Sequence, residues 1–163
     1  GAVETIWDYD AETRLLTQMQ STKIGATQPL LDLTYSYRQD GRMKYRHDVV
    51  ADAWDYAEYD DLGRMDRWIS SHQGQQRPVN YEYDLAGRLT AVTHYEPIQT
   101  TLTYEYPAAG QPRPHAPTAA GEFTYTYDEG GRQVKRNHIG YGVDRELIYN
   151  TLRQLAKGIR RRR

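Results

Sequence analysis

The chain has 163 residues, a net charge of −1 from 21 Lys and Arg against 22 Asp and Glu, and an apolar share of 38%. That share is below the roughly 45–50% usual for compact globules on a count that includes Gly, while the modest charge and 12% aromatics do not fit a disordered tail either. No apolar run is long enough for a membrane-spanning helix, and the absence of Cys excludes disulfides, thiol nucleophiles and thiolate metal sites.

The opening stretch GAVETIWDYD has neither a basic nor an apolar segment, so no signal peptide is expected in it. The small net charge hides an asymmetry. Residues 132–163 hold ten Lys and Arg against Asp144 and Glu146, a balance of +8, and residues 1–131 balance at −9. Four of the ten are Arg160 to Arg163. Residues 158–163 read as a frayed basic tail, with an electrostatic contact as the other reading.

Seven segments align on a tyrosine, in chain order WDYDAETRL (7–15), YSYRQDGRM (35–43), AEYDDLGRM (57–65), YEYDLAGRL (81–89), YEYPAAGQP (104–112), YTYDEGGRQ (125–133) and LIYNTLRQL (147–155). Their central residues, Tyr9, Tyr37, Tyr59, Tyr83, Tyr106, Tyr127 and Tyr149, are spaced 28, 22, 24, 23, 21 and 22 apart. An aromatic lies two before in most copies (Trp7, Tyr35, Tyr81, Tyr104, Tyr125) and Asp one after in four (Asp10, Asp60, Asp84, Asp128). Gly follows at four (Gly41, Gly63, Gly87, Gly110, Gly131) and Arg at five (Arg14, Arg42, Arg64, Arg88, Arg132). Self-similarity at a fixed short period is the mark of a repeat protein.

Each copy reads as a β-hairpin. Tyr-x-Tyr has the period of a strand and puts both rings on one face. Asp accepts a hydrogen bond from the backbone two residues on, and Gly supplies the left-handed residue that ends a type I turn with a bulge. Two strands per copy predict on the order of 14 strands. The tyrosine column then reads as a ladder of rings stacking from unit to unit, or as exposed platforms for sugar rings. The arginine column reads as lying over the rings or pairing with the turn Asp, or as a phosphate or sulfate contact. One Asp per turn lacks the clustered oxygens that calcium needs.

The pattern breaks in four places. Unit one has Thr13 where Gly is expected, and unit two has Arg38 for Asp. Unit five has Pro107 for Asp and Gln111 for Arg, and runs into residues 107–121 with four of the seven prolines, a loop or interrupted edge. Residues 144–158 fit a strand in register with the repeat (Tyr149 to Gln154), or a helix capped by Asp144 with an apolar stripe of Ile148, Leu152, Leu155 and Ile159. The register favours the strand. Residues 21–29 read as a longer connection.

The string Tyr81-Glu82-Tyr83-Asp84-Leu85-Ala86-Gly87-Arg88-Leu89 resembles the YD repeat of the rearrangement-hotspot (RHS) family, and the resemblance covers roughly residues 5–157. Similar proteins include bacterial polymorphic toxins, the B and C components of insecticidal toxin complexes and, more distantly, teneurins. The resemblance implies an all-β fold of tandem hairpins forming a curved single-layer β-strip, part of a spiral shell that encloses a C-terminal toxin domain and is secreted or displayed at the bacterial surface. Residues 1–157 are then the repeat region, and the partners are flanking repeats of the same parent chain or a partner shell subunit, together with the enclosed toxin domain. At ~4.8 Å per strand, 14 strands closed into a ring span about 20 Å, too little for a folded domain of roughly 26 Å. The chain therefore reads as a fragment, about one turn of the spiral.

No reaction chemistry stands out. His47, His72, His94, His115 and His138 are scattered along the sequence without a metal-ligand spacing. Most carboxylates fall in the turn column, and Asp60-Asp61 has no second motif beside it. Neither a GxSxG nor a phosphate-binding loop occurs, and Gly130-Gly131 belongs to a turn. The expectation is a non-enzymatic shell segment with no cofactor, no metal and no nucleic-acid partner. The alternative is a module binding carbohydrate or anionic glycan through Tyr and Arg.

Overall fold

The computed structural model describes residues 1–140, 143–149 and 155–162. Among them are fourteen strands and no helix: β1 (Val3–Tyr9), β2 (Leu16–Lys23), β3 (Pro29–Tyr37), β4 (Met43–Asp48), β5 (Ala53–Tyr59), β6 (Met65–His72), β7 (Gln75–Tyr83), β8 (Leu89–His94), β9 (Thr100–Glu105), β10 (Ala119–Ala120), β11 (Phe123–Tyr127), β12 (Gln133–His138), β13 (Val143–Tyr149) and β14 (Leu155–Arg162). The all-β reading as tandem antiparallel hairpins holds. The strand reading of the 144–158 region also holds where it is described, because β13 pairs antiparallel with β14. Asn150 to Gln154, which include Leu152 of the helical alternative, lie outside the described residues, as does Arg163. β14 runs through position 158, so the expected start of a basic tail falls inside a paired strand.

The chain forms two compact units, Gly1–Tyr81 with Thr93–Thr100, and Glu82–Val92 with the residues from Thr101 on. In the first unit β1 to β7 lie side by side in chain order, each antiparallel to the next. In the second, β9 to β14 follow the same rule. Such local pairing needs only short connections.

Two kinds of turn alternate. One kind is the repeat's Gly-Arg turn, with Gly41 and Gly63 in the first unit and Gly87 and Gly131 in the second at φ +77 to +80°. Each described ladder that leads into such a turn shifts register at the column tyrosine: Tyr37 faces Met43, Tyr59 faces Met65 and Tyr127 faces Gln133. This is the turn-plus-bulge connection expected from the sequence. The other kind is seen in the first unit, where Gln73 (φ 50°) and Gly74 (φ 78°) form a two-residue link between β6 and β7, a primed turn whose twist matches the flanking strands. The connection expected over residues 21–29 is shorter than that, because β2 continues to Lys23 and β3 starts at Pro29.

The well-buried described residues are few and small: Leu33, Ala57, Ala91, Val92, Thr93 and Ala120, with no large side chain fully buried. Within each unit, contacts between strands join ladder neighbours. Stability therefore rests on strand-to-strand junctions more than on a packed core, consistent with the low apolar share.

Candidate functional site

The repeated cluster sits where one hairpin meets the next. In unit three, the Asp60 N–H donates to the Arg64 carbonyl (2.9 Å) and the Gly63 N–H to the Asp60 carbonyl (2.8 Å). Oδ1 of Asp60 accepts the N–H groups of Leu62 (3.0 Å) and Arg64 (2.8 Å), and Oδ2 takes Nε of Arg64 at 2.7 Å. Asp84 repeats this with Ala86, Arg88 and the Arg88 guanidinium (2.9, 2.9 and 2.6 Å). Asp128 repeats it with the Arg132 N–H (2.9 Å) and guanidinium (2.7 Å). One carboxylate thus closes the turn with one oxygen and aims the arginine with the other.

The aimed arginine reaches the next unit. Arg42 lies over the ring of Tyr59 (5.3 Å), Arg88 over Tyr106 (4.9 Å) and Arg132 over Tyr149 (5.1 Å). The same tyrosines donate their hydroxyls to a backbone carbonyl of the preceding hairpin. Tyr59 bonds Met43 (2.9 Å), Tyr106 bonds Leu89 (2.8 Å) and Tyr149 bonds Gln133 (2.8 Å). Tyr37 bonds Leu16 and Tyr127 bonds Pro117, both at 2.8 Å. Four of these five acceptors open the returning strand of the previous hairpin. The ladder between β4 and β5 stops at the pair Tyr45 and Tyr56, so the Tyr59 hydroxyl supplies a bond where the strands have parted. Tyr37, Tyr59, Tyr106, Tyr127 and Tyr149 therefore join units through their hydroxyls, and Tyr59, Tyr106 and Tyr149 through a guanidinium over the ring as well. Rings do stack elsewhere, in a cluster of Tyr45, His47, Trp54 and Tyr56 on β4 and β5.

Two turns depart from this pattern. Arg14 is not in the arginine position: its φ of 61° puts it where the other turns have Gly. The Arg14 N–H donates to the Asp10 carbonyl and the Asp10 N–H to the Leu15 carbonyl, so the first turn is one residue longer and Leu15 takes the arginine's place. In unit two, Arg38 replaces the turn Asp, and Asp40 takes over. It accepts the Arg42 N–H at 3.0 Å and pairs with the Arg42 guanidinium at 3.4 Å, while Arg38 joins Arg42 over Tyr59 (5.5 Å). In unit five, Gly110 keeps the left-handed φ of 82°, the loop expected over residues 107–121 is cut short at 118 by β10 (Ala119–Ala120), and Arg88 donates to the Pro114 carbonyl within it (3.1 Å). Tyr83 closes β7 at its column position, and Tyr9 is 59% exposed.

The electrostatics follow. The N–H of Arg88, then its guanidinium, holds Asp84 below the ordinary carboxylate range, and the Arg132 guanidinium and N–H do the same for Asp128. At Asp60, partial desolvation pushes upward and is outweighed by the Arg64 N–H and guanidinium. Burial raises the hydroxyls of Tyr37, Tyr106 and Tyr127. A carboxylate lowered on folding adds stability above its unfolded value of about 3.9, and that stability is lost as pH falls through the folded value. Thermal melting should therefore show a steep loss below about pH 4. The variant Asp84→Asn should melt lower at neutral pH with a shallower acid slope, and a slope equal to that of the parent chain would refute the assignment.

Four of the five histidines, scattered in sequence, fall at or next to the ends of returning strands: His47, His72, His94 and His138. His138 Nε2 lies 3.2 Å from Glu122, and His47 stacks on Trp54 with ring centroids 3.6 Å apart. Among the described residues, no group of three or more His, Asp or Glu converges as a metal site.

No protein-family model and no curated protein matches the chain. Solved structures do. The crystal structure of TcdB2-TccC3 matches over 91% of this chain at 16% identity and a TM-score of 0.65. The Photorhabdus luminescens Tc holotoxin pore matches over 91% at 15% identity and 0.66, and the crystal structure of TcdB2-TccC3-Cdc42 over 91% at 14% and 0.65. At these identities the likeness is one of fold, the tandem-hairpin β-fold of the matched part of these Tc toxin chains, and this chain spans 10% of the length of the solved chains it matches.

Proposed function

We propose that the chain is a wall segment of an RHS shell that encloses a toxin domain in a secreted bacterial toxin, contributing enclosure and no catalysis. The observation that carries this reading is the repeated junction: carboxylate, arginine and tyrosine are consumed in joining one hairpin to the next, leaving no convergent reactive group among them. The likeness to Tc toxin chains supports it. The partners on this reading are flanking repeats or a partner shell subunit, and the enclosed domain. The glycan-binding alternative draws less support, because the Trp54 ring, the widest aromatic surface on β4 and β5, lies under His47 at 3.6 Å and 7°. The test is the parent reading frame and its product. Many further YD units followed by an unrelated C-terminal domain that resists protease until the wall is opened are the expected result. A C-terminal domain digested as fast as its free form would overturn the proposal.

A further inference from the structure

Three junctions share one arrangement. A turn carboxylate holds a guanidinium at its edge, and the guanidinium lies on the tyrosine of the next hairpin: Asp40, Arg42 and Tyr59; Asp84, Arg88 and Tyr106; Asp128, Arg132 and Tyr149. The junction between the first two hairpins has the carboxylate and the ring without the guanidinium. Arg14 sits at the left-handed position of the longer turn, at φ 61°. Leu15 stands instead just ahead of Leu16, whose carbonyl takes the Tyr37 hydroxyl, and its side chain carries no charge. Among the described residues no cation lies over the Tyr37 ring.

The place is open and carries the matching charge. Oδ1 of Asp10 accepts the N–H groups of Glu12 (3.1 Å) and Thr13 (2.7 Å) and the Thr13 hydroxyl (2.8 Å). Oδ2, the oxygen that takes the arginine Nε at Asp60, Asp84 and Asp128, has no partner among the described residues. The Thr13 N–H and hydroxyl, then the Glu12 N–H, hold this carboxyl below the ordinary carboxylate range, so it is an anion at neutral pH. Beside it a groove of about 570 Å³ runs between the hairpins β1–β2 and β3–β4, with Asp10, Thr13, Leu15, Tyr37, Arg38 and Gln39 on its walls. Arg38 is turned to other partners, Asp40 at 3.7 Å and the Tyr59 ring at 5.5 Å.

We propose that this groove binds an arginine side chain of a partner polypeptide, whose guanidinium meets Asp10 at its edge and Tyr37 at its face, as the chain's own arginines do elsewhere. Arginine suits the place better than lysine, because a planar guanidinium pairs with a carboxylate and stacks on a ring at once, whereas an ammonium is a point charge. The groove is larger than one guanidinium needs, and Thr13 and Gln39 offer polar groups to the backbone on either side of the arginine. The inference rests on the junction geometry and not on the shell reading, which survives its failure.

An NMR titration of the full chain with the peptide acetyl-Gly-Arg-Gly-amide tests it. The amide signals of Asp10, Thr13 and Leu15 should shift with a dissociation constant of about 10 mM, the weak range of one exposed ion pair joined to one cation–π contact. The peptide with Lys in place of Arg should bind about fivefold more weakly. Asp10→Asn keeps the turn bonds to Oδ1 and removes the charge, and it should weaken the arginine peptide about fivefold. Leu15→Arg provides the guanidinium from within the chain and should abolish the shifts. Should that variant fail to fold, Asp10→Asn decides. No shift at these residues with about 100 mM peptide, equal affinity for the two peptides, an Asp10→Asn chain that binds as the parent does, or a folded Leu15→Arg chain that still does so overturns the proposal.

Discussion

Replacing Tyr59 by Ala should destabilise the chain by about 2–4 kcal/mol, and replacing it by Phe by about 1 kcal/mol. The two figures separate the roles of one side chain. Phe keeps the ring under Arg38 and Arg42 and loses only the bond to the Met43 carbonyl. Ala also removes the ring, and with it the surface on which two guanidinium groups rest, an interaction of about 0.5–2 kcal/mol by itself. Because few of the described side chains are well buried, a loss at one junction is a large share of what holds β4 to β5. Chemical denaturation of the three proteins measures it. A Phe variant as unstable as the Ala variant would mean that the hydroxyl, and not the ring, holds the junction. Equal stability of all three would remove the junction as a source of cohesion.

Much of this was legible from the spacing of a few residue types. Tyr-x-Tyr, Asp and Gly at fixed offsets mark strand, turn closure and left-handed residue, and each is local chemistry that the sequence carries openly. What lay outside such reading was the partner of each group. Whether Arg88 lies on its own turn Asp or on the next tyrosine is not an alternative in three dimensions, since its planar guanidinium meets Asp84 at its edge and Tyr106 at its face. The acceptors Leu16, Met43, Leu89 and Gln133 were hidden because a backbone carbonyl has no residue signature. The substitution of Asp40 for the missing turn Asp was hidden because a carboxylate two positions along can close the same loop.

Fixed offsets also misplaced Arg14. Counting five from Tyr9 assumes a turn of constant length, and the first turn holds one residue more. The backbone gives the true equivalence: Tyr37 bonds the Leu16 carbonyl as Tyr59 bonds that of Met43, and Leu15 precedes the one as Arg42 precedes the other. A repeat is defined by its junctions, and the offsets follow from them.

The clearest separation of turn from junction lies in two glycines of nearly equal φ. Gly63 and Gly87 sit at +77° and +79°, where an L side chain is strained by roughly 1–2 kcal/mol. A Cβ on Gly87 would meet nothing within 4 Å, whereas one on Gly63 would strike the guanidinium of Arg42. That guanidinium belongs to the preceding hairpin and also covers Tyr59. Gly87→Ala should therefore cost about 1 kcal/mol, the backbone strain alone. Gly63→Ala should cost about 2–3 kcal/mol, because it adds displacement of Arg42 from the ring. A double-mutant cycle with Arg42→Ala isolates the difference: with the guanidinium gone, the Gly63 penalty should fall to that of Gly87. Equal penalties at both glycines in the parent background would show that the arginine is free to move aside, and that the junction is looser than its geometry implies.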